Sequence, residues 1–216
     1  MTGIGEVAVA QLGRGDVERT VALLTDLRVD IAGTQSAAVY RAVCRDAVAH
    51  RGSLAVLARC GGESAGIAIV LLHPHSYWRA FAKRRPMLAL VVAARRLRSR
   101  SRAAKPEHKE IASGGSAAGY GVAPGPPPLP WTHAEPGIAR LLFIGVAARY
   151  RGMGVSGKLF GAIAAALAEQ GARAVDASIG KANLASLKAH RRAGWTLYED
   201  RDHVYAFCDV VARGGQ

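Results

Sequence analysis

Seven residues, Arg151-Gly152-Met153-Gly154-Val155-Ser156-Gly157, set three glycines beside a guanidinium. Glycines let the backbone approach a ligand closely, and the free N–H groups at a helix start point at an anion, so such a turn is a device for holding phosphate. A helix follows, with Leu159, Phe160, Ile163 and Leu167 at the spacings of one face. Further on, Asn183, Leu187, His190 and Gly194 fall at i, i+4, i+7 and i+11. That spacing puts the His190 imidazole, a proton carrier near neutral pH, on the same helix face as Asn183. Asp176 lies between the two helices, on what reads as a strand.

The turn admits three readings. It can be an ordinary strand-to-helix connection. It can be a dinucleotide site, because Gly152-x-Gly154-x-x-Gly157 fits that fingerprint and Asp176 lies about 20 residues on. Against this, Ala147 to Arg151 separate the preceding strand from the first glycine, and too little chain follows for a second mononucleotide-binding half. A nucleoside triphosphate loop is excluded because Gly157-Lys158 is followed by Leu159, which has no hydroxyl for Mg²⁺. The third reading is a site for the pyrophosphate of coenzyme A.

On that third reading the sequence resembles the GNAT superfamily of acetyltransferases. Arg151-Gly152-Met153-Gly154-Val155-Ser156 matches the family's Gln/Arg-x-x-Gly-x-Gly/Ala signature, with Ser156 for the last small residue. A second signature, an Asn-led helix ending in Gly-aromatic, matches Asn183 to Trp195 in the family's order and separation. The resemblance covers Ala139 to Phe207 well and Glu6 to Leu72 loosely. It implies acetyl transfer from acetyl-CoA to a primary amine by direct attack in a ternary complex, with no metal. It assigns Ile144 and Val146 to the thioester arm and Arg151, Gly152, Met153, Gly154, Val155 and Ser156 to the pyrophosphate. Asn183 joins the cofactor site, and His190 stands where many relatives carry the tyrosine that protonates the departing sulfur. An alkyl ammonium with a pKa of ~10.4 must lose a proton before it can attack. Relatives often place a glutamate near the start of the central strand; here Ile138-Ala139-Arg140 lacks one. Glu135, His133, Asp176 or a water chain remain open for that task.

Several elements must position these groups. Leu141 to Val146 reads as a strand, and Ala174 to Ile179 as another beyond Gly171. Upstream, Glu6 to Leu12 reads as a strand. Asp16 caps a helix to Ile31, and Thr34 caps a second helix that turns Val39, Val43 and Ala47 inward. Leu54 to Ala58 and Ala65 to Leu72 form a hairpin about Gly61-Gly62-Glu63-Ser64. Trp195 to Glu199 and His203 to Asp209 close the sheet about Asp200-Arg201-Asp202. The expected fold is α/β: a GNAT-like mixed, mostly antiparallel sheet flanked by helices, in one domain over residues 1–216.

Residues 73–136 read as an insertion. Ser76 to Arg102 is helix-like and broken at Pro86, whereas Ser113 to Pro130 is low-complexity. The insertion carries most of the charge. Of the net +13, eleven cations against Glu107 and Glu110 place +9 between Arg79 and Glu110. Tyr77, Trp78 and Phe81 beside Lys83-Arg84-Arg85 either anchor the insertion or form a working surface. As a surface, an anionic substrate or anionic lipid ranks above nucleic acid, for which no fold signature is present. Scattered Cys44, Cys60 and Cys208 argue against disulfides and zinc. No signal peptide or long apolar run appears, so the expected location is cytoplasmic. The acceptor is expected to be a small-molecule amine, such as an amino sugar or nucleotide-linked sugar. A non-catalytic acyl-CoA-binding or surface-binding module is the alternative, and an NAD(P)-dependent oxidoreductase a more distant one. Homo-oligomerisation is left open.

Overall fold

Val7 and Val9, turned inward at alternate positions, build a first strand, β1 (Val7–Gln11), which a short 3-10 turn joins to helix α1 (Val17–Asp26) and then α2 (Ala37–Ala49). The computed structural model describes residues 6–31, 35–49, 52–103, 137–199 and 203–210. Strands β2 (Ser53–Cys60) and β3 (Glu63–Leu71) follow as a hairpin about Gly61-Gly62. Helices α3 (Pro74–Arg84) and α4 (Pro86–Ala103) begin the insertion, and Pro86 separates them as its missing N–H predicts. The chain is then described from β4 (Ile138–Val146) through α5 (Val155–Glu169), β5 (Ala174–Gly180), α6 (Leu184–Arg192) and β6 (Thr196–Glu199) to β7 (His203–Asp209). Gly33, Thr34, the 113–130 stretch and the turn at 200–202 lie outside the described residues.

The seven strands form one sheet in the order β1-β2-β3-β4-β5-β7-β6. Every neighbouring pair is antiparallel except β4 and β5. This matches the mixed, mostly antiparallel expectation. It also answers the dinucleotide reading, which requires a mostly parallel sheet.

Each face of the sheet carries its own core. On one face, α5 and α6 pack Leu159, Ile163, Leu167 and Leu187, all fully buried, over inward residues of the central strands. Burying each such side chain contributes ~1.5–3 kcal/mol. Gly66 permits this approach: a Cβ there would sit 2.9 Å from the Gly145 carbonyl oxygen and 3.1 Å from Leu159 and Val155. On the other face, α1, α2 and α3 cover β2 and β3 with Val21, Leu24, Val39, Val43 and Phe81.

Two local expectations change. The helix expected to reach Ile31 stops at Asp26, and Arg28 at φ 49° turns the chain. Asp16 occupies the N-cap position, yet its carboxylate makes no cap bond; it pairs with Arg59 and accepts the Gly13 N–H at 3.3 Å. Tyr77 and Phe81 are buried in the second core, so these aromatics anchor the insertion. Arg84 and Arg85 share that task, lying 2.9 and 3.5 Å from the carboxylate of Asp46 on α2.

Candidate functional site

The site begins where β4 and β5 part. Their parallel pairing lasts for three residue pairs, Ile138 with Ala174, Ala139 with Val175 and Arg140 with Asp176. Beyond that point β4 continues along β3, and β5 continues along β7 to Gly180. A gap therefore opens towards the C-terminal ends of both strands. The register of β4 slips at Leu142, since Leu141 faces Val70 but Phe143 faces Ile69. The bulge exchanges faces: Leu141, Ile144 and Val146 join the α5 core, while Leu142 and Phe143 turn to the other.

Backbone alternation decides what β4 shows to the gap. The Ala147 N–H donates to Ala65 O at 2.9 Å, so Ala147 is a hydrogen-bonded partner of the β3 side. Antiparallel neighbours alternate between bonded and non-bonded pairs, so the amides of Val146 and Ile144 point the other way, into the gap that β5 has vacated. Two backbone donors on a rigid strand thus face a cleft.

The glycine turn lies at the same end. A 3-10 turn, Ala148–Tyr150, leads into it and is fastened to the β2–β3 hairpin. Glu63 there accepts the Tyr150 hydroxyl at 2.7 Å and pairs with Arg149 at 2.5 Å. Gly152 at φ 83° and Gly154 at φ 75° adopt the left-handed conformation that disfavours any side chain. Gly154 is the N-cap of α5 and supplies no side-chain cap, and the first helical bond runs from Lys158 N to Gly154 O. The amides preceding Lys158 therefore have no acceptor within the helix. Arg151 is exposed beside them, with Nε 3.3 Å from the Val146 carbonyl. The Lys158 ammonium is spent elsewhere, donating to Val7 O at 2.8 Å. Donors, a helix N-terminus and a guanidinium suit a diphosphate, and the strand amides next to them suit an amide- and thioester-bearing arm.

Asn183 stands beyond the C-terminal end of β5, on the opposite rim. It caps α6, its Oδ1 accepting the Ser186 N–H at 3.1 Å. His190 does not share its exposure. The imidazole is 1% exposed, packed edge-on against Phe160 and Trp195 with centroids 4.9 and 4.8 Å away. Nδ1 donates to Ser186 O at 2.8 Å, while Nε2 is buried without a hydrogen-bond partner. Burial lowers the pKa to about 4, against the weaker opposing pull of the Ser186 bond. The helical period correctly put Asn183, Leu187 and His190 on one face, but that face turns into the core beside the fully buried Leu187. His190, expected on that face as the proton donor to sulfur, is instead enclosed by Phe160 and Trp195.

Asp176 is buried on the opposite face of β5 and held by Arg140, whose Nε and Nη2 lie 3.0 and 2.6 Å from the two carboxylate oxygens. Glu135 and His133 lie outside the described residues. A surface the sequence reading missed extends from this pair. Across β5, β7 and β6, Asp176 aligns with Phe207 and Thr196, and Ser178 with Tyr205 and Tyr198. The period-two pattern of Tyr205 and Phe207 was the available signal.

The sequence model of the acetyltransferase (GNAT) family matches residues 35–195. The chain belongs to that family. It is an acetyl-CoA-dependent N-acetyltransferase, and its sheet is the GNAT fold. Solved structures repeat this fold at low identity. An N-acetyltransferase from Staphylococcus aureus Mu50 is 14% identical, with a TM-score of 0.57 over 95% of this chain and 99% of that one. AAC(6')-Iy in complex with the bisubstrate analog CoA-S-monomethyl-acetylneamine is 14% identical, with a TM-score of 0.54 over 91% and 92%. Arabidopsis thaliana NAA60 in complex with acetyl-CoA is 10% identical, with a TM-score of 0.53 over 94% and 96%. Among curated proteins, none matches the sequence. Among the described residues of this acetyltransferase, no helix is long and apolar enough to cross a membrane, and no cluster of His, Cys, Asp and Glu is arranged for a metal.

Proposed function

We propose that the enzyme acetylates a primary amine of a small molecule, an amino sugar or nucleotide-linked sugar, in a ternary complex. The observation that carries the mechanism is the pair of strand amides, Ile144 and Val146, turned into the gap between β4 and β5. Acetyl-CoA supplies the acetyl group as a thioester. In this reading Val146 N–H donates to the carbonyl oxygen where negative charge develops, a contribution worth ~3–4 kcal/mol in comparable sites. Ile144 orients the arm, and the amides of Gly152 to Ser156 with Arg151 hold the diphosphate. Met153 braces the turn by packing on the α5 core.

The acceptor enters from the face of β5 opposite α5. Tyr198, Tyr205 and Phe207 there are half-buried, giving ring surface for a sugar, and Ser178 is an exposed hydroxyl in the same row. The neamine-bearing analog on the AAC(6')-Iy neighbour is in keeping with an amino-sugar acceptor. Both oxygens of Asp176 bond Arg140, so Asp176 serves as a positioning group. Deprotonation then falls to Glu135, just ahead of β4, or to water. Asn183 remains on the cofactor side as a rigid cap. His190, neutral and enclosed, supports α6, and the thiolate takes its proton from solvent.

Calorimetry with acetyl-CoA and turnover on an amino-sugar panel test this reading. The Val146→Pro variant removes one donor that the β3–β4 ladder does not use, and proline is tolerated at such positions. The expected result is an intact fold with acetyl transfer reduced ~10²–10³-fold. Unchanged turnover would remove Val146 from the mechanism. Tight acetyl-CoA binding without turnover on any amine would favour a binding module.

A further inference from the structure

We propose that α4 is a membrane-contact helix that docks this protein on the surface of an anionic phospholipid bilayer. This rests on the insertion and is independent of the acceptor assignment. Inward-facing Leu88 and Val92, at i and i+4, seat α4 on the second core. The outer side of the same turns is also apolar: Met87 is 74% exposed, Leu90 63% and Val91 43%. Among the residues whose exposure is described, the large hydrophobic ones left exposed are these three and Leu184. Clustered exposure of this kind marks an interaction surface.

Charge identifies the partner. Arg95, Arg96, Arg98, Arg100 and Arg102 follow the apolar turns along α4, and exposed Arg79 and Lys83 lie on α3. No Asp or Glu occurs from Pro74 to Ala103. An apolar tip in a segment whose charges are all cationic suits the surface of an anionic bilayer, whose acyl boundary takes Met87, Leu90 and Val91. Nucleic acid fits less well. Tyr77 and Phe81 are buried and so unavailable for base stacking, and phosphates would gain nothing from the exposed aliphatic side chains. The anchor between Asp46 and Arg84 and Arg85 holds α3 and α4 against the domain, so the helix is presented by a fixed support.

Vesicle flotation of the full chain tests this. Vesicles of phosphatidylglycerol in phosphatidylcholine should carry the protein, and pure phosphatidylcholine should not. Raising salt from ~0.1 to ~0.5 M should weaken binding at least tenfold. A Met87→Ser/Leu90→Ser variant should lower affinity about tenfold or more at every salt concentration. Arg95→Gln/Arg96→Gln should lower it about fivefold per charge. None of these residues is assigned to acetyl-CoA, so calorimetry with acetyl-CoA verifies that each variant is folded. No flotation of the folded wild type at low salt would overturn the proposal. So would binding indifferent to Met87→Ser/Leu90→Ser, a solution dimer that this variant dissociates without any vesicle binding, or preference for duplex DNA or RNA over the vesicles.

Discussion

His190 makes a pH-dependent contribution that belongs to the single residue. Its folded pKa of about 4 lies below the ordinary 6.5 because burial penalises the charged ring. Between those values the unfolded chain binds a proton that the folded chain does not. The stability held at neutral pH is therefore lost as pH falls from about 6.5 through 4, by ~2–4 kcal/mol. A His190→Phe substitution removes both the titration and the unpartnered Nε2. The melting temperature of the variant should fall less steeply between pH 7 and 4. Its turnover with an accepted amine at pH 7.5 should stay within about threefold of wild type, whereas loss of a general acid would cost ~10²–10⁴-fold. Thermal melts across pH and a steady-state assay give both answers.

At the scale of elements, a buried carboxylate joins the aromatic and aliphatic anchors that attach the insertion. Asp46 is 2% exposed and meets Arg84 and Arg85 from the start of the insertion, with Tyr77 and Phe81 buried in the core close by. Asp46→Asn leaves guanidinium groups, about a third exposed, facing a neutral amide and should destabilise by ~1–2 kcal/mol, read by urea denaturation. The elements themselves were largely legible in the sequence. Pro86, Gly61-Gly62 and the aliphatic spacing of Leu159, Ile163 and Leu167 carry local information, and each produced the expected break, turn or helix. The slip at Leu142 was not legible, because Leu141-Leu142-Phe143-Ile144 is apolar throughout and uniform hydrophobicity hides a change of face. The position of His190 was hidden differently. Periodicity tells which residues share a side of α6 but not whether that side meets a cleft or a core. Arg140 could not be paired with Asp176 until the parallel register brought positions 36 residues apart side by side.

For the whole molecule, the departure of β5 from β4 has a dynamic consequence. The sheet is a seven-strand surface with a seam through its interior, joined by three residue pairs at one end. Helices α5 and α6 span the seam from one side, since their shared core includes residues from strands on both halves. Without a ligand, Ile144 and Val146 should exchange their amide hydrogens with solvent far faster than Gly145 and Ala147, whose bonds to β3 lie on the closed side. A comb of alternating fast and slow amides along four consecutive residues is the expected nuclear magnetic resonance pattern. Acetyl-CoA should erase it by slowing the fast teeth, acting as a temporary strand that stitches the two halves together. Uniform protection of all four in the ligand-free protein would mean that the seam is closed.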